Sequence, residues 1–96
     1  MNNAIKFIVS ECERLSVQEN VGSRYRITRE DFRGSLWVTP QKSNFRVLIS
    51  GEIDPLLSGF LRAHFGSEAG VDQGKKYWNL GDLQNVAKII RRFNER

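Results

Sequence analysis

The sequence predicts an α+β two-layer sandwich: a four-stranded, mostly antiparallel sheet with helices on one face, in the order α-β-β-β-α-β-α. Three observations lead there. Between residues 23 and 50 apolar and polar side chains alternate across short turns, which is the period of strands with one wet face. Residues 3–15, 54–65 and 82–93 instead repeat apolar side chains at the spacing of one helical face. The chain's 96 residues, 40% hydrophobic and 27% charged, suffice for one two-layer core and not for two, so residues 1–96 are read as a single domain.

The first helix is placed over residues 3–15, where Ile5, Ile8, Cys12 and Leu15 follow helical spacing and Asn2 or Asn3 can cap the start. Cys12 sits on that stripe, so it reads as a small core residue and not a reactive thiol. Residues 16–22 are polar and end in glycine, which makes them a connection. Tyr25 and Ile27 then alternate with Arg24 and Arg26 in a strand over 23–28. Arg29, Glu30, Asp31, Phe32, Arg33 and Gly34 turn the chain, and their cations, with Lys42 in the next turn, are expected in solvent. A second strand over 35–39 sets Leu36 and Val38 against Trp37. A third over 45–50 sets Phe45, Val47 and Ile49 against Arg46 and Leu48.

Asp54 followed by Pro55 is a helix start, with Asp54 as the cap, and Leu57, Phe60, Leu61 and Phe65 carry the helix to Gly66. Residues 66–74 hold three glycines and almost nothing apolar, and are expected to be the most mobile loop. The closing stretch from Lys75 is the clearest in the chain. It reads as a strand through Trp78, a tight turn, and a helix capped by Asp82 with Leu83, Val86, Ile90 and Phe93 on one face.

Net charge is +4 and the isoelectric point about 9.6. The charge is segregated: residues 1–22 sum to −1, 23–50 to +4, 51–72 to −3 and 73–96 to +4. Two basic segments folded side by side would attract a polyanion, although cations also simply solvate strand faces and helix ends. The single cysteine excludes an intrachain disulfide, and one Cys with one His cannot assemble a structural zinc site. The N-terminal apolar run is too short and too charged for a signal peptide or membrane span, so a cytoplasmic location is expected.

With helices on one face, the other displays Arg24, Arg26, Trp37, Arg46 and Leu48. The last strand adds either Lys75, Tyr77 and Asn79 or Lys76 and Trp78. The first choice is favoured because Trp78 and Leu80 then reach the core. Guanidinium and ammonium groups can track phosphates while aromatic rings stack on bases. On the closing helix Lys88, Arg91 and Arg92 form a second basic site, with Arg96 following, although cations there also complement the helix dipole. The candidate nucleic-acid-binding set is therefore Arg24, Arg26, Trp37, Arg46, Lys75, Lys76 and Tyr77 on the sheet with Lys88, Arg91 and Arg92 on the helix.

No catalytic or metal pattern accompanies this set. His64 lies in an apolar helix without an identifiable nucleophile, and reads as a partly packed or surface residue. Gly70 to Lys76 superficially resembles a phosphate loop, but it has three residues between its glycines, no Ser or Thr after the lysine, and a strand to follow where a helix is required. Glu52 with Asp54, and Glu68 with Asp72, are better explained by capping and solvation than by a metal.

The run from the third strand through the short helix, the glycine-rich loop, Lys75-Lys76-Tyr77-Trp78-Asn79 and the last helix is similar to the C-terminal half of the MmcQ/YjbR-like proteins, which are described as DNA-binding. The likeness rests mainly on Lys76, Trp78 and Asn79, and the turn into the last helix is shorter here. It implies DNA binding and supplies no site residues. The expectation is a non-enzymatic module, without cofactor, catalytic residue or metal, that binds DNA or RNA through its basic, aromatic-bearing sheet face and C-terminal helix. The alternative is a protein-interaction, inhibitor or homodimerisation domain using the same face. Neither a membrane nor a small-molecule substrate is expected as a partner.

Overall fold

Alternating side chains build the sheet, and in the computed structural model, which describes residues 3–95, that sheet has six strands where four were expected. Asn2, a possible cap, and the cation Arg96 fall outside the described residues. The elements run α1 (Asn3–Ser10), β1 (Leu15–Asn20), β2 (Arg24–Arg29), β3 (Gly34–Pro40), β4 (Phe45–Gly51), α2 (Ile53–Phe65), β5 (Gly70–Asp72), β6 (Lys75–Leu80) and α3 (Leu83–Asn94). The order across the sheet is β1-β2-β3-β4-β6-β5, and every neighbouring pair is antiparallel. A meander of four strands is therefore extended at β4 by a hairpin that arrives through α2.

Both extra strands come from segments read as something else. The first helix ends at Ser10 and not Leu15, with Cys12 N–H donating to the Val9 carbonyl at 2.9 Å and Leu15 N–H to the Cys12 carbonyl at 3.2 Å. Residues 15–20 then pair in full with β2, so the supposed connection is β1. In the glycine-rich stretch, Gln73 (φ 52°) and Gly74 (φ 78°) both take positive φ between the paired Asp72 and Lys75. That is the two-residue turn whose twist suits a hairpin. Residues 66–74 are also tied down, by Ala69 N–H on the Tyr77 carbonyl at 2.8 Å, Trp78 Nε1–H on the Gly66 carbonyl at 2.9 Å and Arg62 on Glu68.

One face of the sheet is sealed by all three helices. Tyr25, Ile27, Leu36, Val38, Val47, Ile49, Trp78 and Leu80 meet Ile5, Ile8 and Val9 of α1, Ile53, Leu57 and Leu61 of α2, and Val86, Ile89, Ile90 and Phe93 of α3 in one cluster. Cys12 is buried there too, where burial pushes its thiol above the ordinary 9.0 against the opposing charge of Arg91. Asp82 caps α3 as expected, accepting from Asn85 N–H at 3.0 Å. Asp54 does not cap α2. Glu52 occupies that position without a capping bond to the helix, its carboxylate accepting from Arg33 N–H at 2.9 Å, and the Asp54 carboxylate instead pairs with Lys76 at 3.2 Å.

Arg29 corrects a second expectation. It lies on the same side of β2 as Tyr25 and Ile27, is only 5% exposed, and donates from Nη1 to the carbonyls of Phe93 and Glu95 while Nε pairs with Asp31 at 2.8 Å. Arg14 adds two bonds to Asn94, each 3.0 Å. Two arginines thus satisfy carbonyls that the end of α3 leaves open, at the negative pole of its dipole.

Candidate nucleic-acid interface

The strand registers line up the open face in rows. Gln18, Arg26, Trp37, Leu48, Tyr77 and Gly70 stand opposite one another across all six strands. The row beside it carries Asn20 paired with Arg24 on one side, and Thr39, Arg46 and Asn79 on the other. Flanking it on the far side are Ser35 paired with Ser50, and Asp72 paired with Lys75. An apolar strip of Trp37, Leu48 and Tyr77 is therefore bordered by cations.

Arg24 and Arg26 lie two apart on β2 and bracket the Trp37 ring, with guanidinium carbons 4.4 and 5.7 Å from its centroid. Arg26 is further aimed by an Nε–H bond of 2.7 Å to Ser35 Oγ. On the other side of Leu48, Arg46 lies 4.1 Å over the Tyr77 ring. The ring in turn lies against Gly70, where an added Cβ would come within 2.6 Å of the Tyr77 hydroxyl and 2.8 Å of Cζ. Only glycine leaves room for the ring in that position. Stacked guanidinium groups keep their N–H edges free while their planes are held.

The arginines, with Lys75, line a concavity of about 430 Å³ that has Trp37 and Leu48 in its wall, with Ser35, Thr39, Gln41, Ser50, Asp72 and Gln73 as the polar remainder. Among the described residues no carboxylate lies within 4 Å of Arg24, Arg26, Arg46 or Lys75. Asp72 is the one acid in the lining, so the formal charge there is +3. Arg46 Nε–H is buried and has no acceptor.

Of the ten candidate residues, six share this surface: Arg24, Arg26, Trp37, Arg46, Lys75 and Tyr77. Lys76 does not. Strand alternation turns it toward α2, where it is paired with Asp54. Lys88, Arg91 and Arg92 lie on the outer side of α3, behind the sheet, where they line a shallow 320 Å³ depression with Phe60, His64 and Glu95. There Arg92 pairs with Glu95 at 2.9 Å and sits 5.7 Å from the Phe60 ring, and His64 stacks on Phe60 at 4.2 Å. The sheet cations and the helix cations therefore occupy opposite layers. Sequence reasoning missed the roles of Gly70 and Ser35, because both depend on a register that only the folded hairpins define.

Among the described residues no group of three or more His, Cys, Asp and Glu is placed to hold a metal ion, and no helix is long and apolar enough to cross a membrane. In comparisons with known proteins, no family model, no curated protein and no solved structure matches the chain. None of these comparisons supports the likeness to the MmcQ/YjbR-like proteins.

Proposed function

We propose that the chain is a nucleic-acid-binding module whose ligand lies on the open sheet face and is held largely through its phosphates, with limited readout of bases. One observation carries this reading: four cations that have no carboxylate within 4 Å among the described residues line a single concavity together with Trp37 and Leu48. Arginines without acid partners, set beside rings, can meet phosphate oxygens in pairs. The trio on α3 takes no part in this contact, because it lies behind the sheet.

The same strip rimmed by arginines has the composition of a protein interface. A partner bound there must be acidic, since a second copy docked through this face would set like charges against each other.

Fluorescence anisotropy with labelled oligonucleotides at two salt concentrations tests the proposal. Four phosphate contacts give a slope of log K on log salt of about −3, so raising salt fourfold weakens binding roughly 60-fold. Reversing charge at Arg24, Arg26 and Arg46 should abolish binding while far-UV circular dichroism stays native. Salt-insensitive binding, or self-association on a sizing column without oligonucleotide binding, sinks the proposal in favour of an interaction domain.

A further inference from the structure

We infer that the ligand is an unpaired strand, crossing the β-strands with one phosphate on Arg46 and a base on the Trp37–Leu48 part of the concavity; this rests on the nucleic-acid reading above. The floor of the concavity separates single-stranded from duplex ligands. A surface that only gathers backbone phosphates needs no apolar floor. Here Leu48 stands between the two aromatic residues, at the centre of the cations. A double helix would lay charged backbone over it, with its bases paired away from reach, whereas an unpaired base brings a flat apolar face. A concavity of about 430 Å³ also matches a group the size of a nucleotide and not the convex side of a duplex.

The direction follows from the rows. Trp37 and Tyr77 are separated by one intervening strand, as are Arg24 and Arg46, so each pair spans about 10 Å across the sheet at ordinary strand spacing. Arg24 and Arg46 therefore mark one line perpendicular to the strands, suited to backbone, beside the line of Trp37 and Leu48 that also carries Arg26, while Lys75 flanks that line on its other side. Arg46 fixes the register of the ligand. Its guanidinium carbon lies 4.1 Å over the Tyr77 ring, and among the described residues no carboxylate lies within 4 Å to compete for it. A phosphate can accept from the two terminal nitrogens of the guanidinium together, which a lysine cannot reproduce. Gly70 positions this group by leaving room for the Tyr77 ring.

The test uses a labelled single-stranded 12-mer and the same sequence annealed to its complement, with heparin as a polyanion without bases. At low salt the single strand should bind at least tenfold tighter than the duplex. Arg46→Lys, which keeps the charge, should cost the single strand about tenfold, the worth of one charge-assisted bond pair. Gly70→Ala should move affinity the same way, with a thermal melt confirming that it folds, and Trp37→Ala should reduce the preference for single strand over duplex. Equal affinity for single strand, duplex and heparin, or an unchanged Arg46→Lys, overturns this inference while leaving the phosphate-binding proposal in place. Failure of every nucleic acid to bind at low salt overturns both.

Discussion

Replacing Arg29 with methionine should destabilise the protein by about 2–3 kcal/mol, a large loss for one side chain that sequence alone would put in solvent. Methionine keeps much of the apolar stem, so the change isolates the guanidinium. Its bond to the Phe93 carbonyl, 2.9 Å long and buried, is charge-assisted, and losing it leaves an acceptor without a donor, which costs roughly 1.5–3 kcal/mol. The interaction of the buried cation with the C-terminal pole of α3 adds about 0.5 kcal/mol. Little comes from Asp31, which is 54% exposed and can be hydrated, or from the Glu95 carbonyl beside exposed residues. In a domain of this size each kcal/mol moves the melting midpoint about 4–8 °C, so the variant should melt about 10–20 °C lower. Urea unfolding followed by far-UV circular dichroism reads the difference directly. A variant within 0.5 kcal/mol of the parent would refute the reasoning, because the end of α3 would then need no clamp.

Two further outcomes concern the fold. Gly34 has φ 105° and lies so close to the facing strand that a Cβ would sit 2.0 Å from the Ser50 carbonyl oxygen, so Gly34→Ala should cost at least about 2 kcal/mol in the same urea assay, combining backbone strain with separation of β3 from β4. The Cys12 thiol is pushed up by burial, so a thiol reagent at pH 8 should modify the native protein far more slowly than the urea-unfolded one. Because its folded value lies above its unfolded one, the stability it contributes is complete below about pH 9 and is lost as pH climbs through the folded value; unfolding at pH 8 and pH 10 should show a smaller loss in Cys12→Ala than in the parent.

What could be read from the sequence depended on whether one period dominated. Strands β2, β3 and β4 were legible because Tyr25, Ile27, Leu36, Val38, Val47 and Ile49 alternate without ambiguity, and all six are buried. Leu15 fits two patterns at once: it extends the Ile5–Ile8–Cys12 helical stripe and begins the Leu15–Val17 alternation. A local pattern cannot choose between them, and pairing with β2 decides for the strand. Arg29 continued the inward series of Tyr25 and Ile27, yet its charge argued for solvent; only the nearby end of α3 supplies carbonyls that make burial tolerable. For the candidate site, the residue types were visible and their grouping was not. Alternation alone turns Lys76 away from Lys75 and Tyr77, and the single covered face puts Lys88, Arg91 and Arg92 behind the sheet.

The two tryptophans occupy opposite environments, which gives the protein a built-in pair of optical reporters. Trp78 is 2% exposed and hydrogen-bonded to Gly66, so its emission follows the integrity of the interior. Trp37 is partly open beneath Arg24, where an arriving ligand would alter its light output without touching the other indole. A Trp37→Phe variant separates the two signals, so unfolding and surface occupancy can be followed in one label-free cuvette.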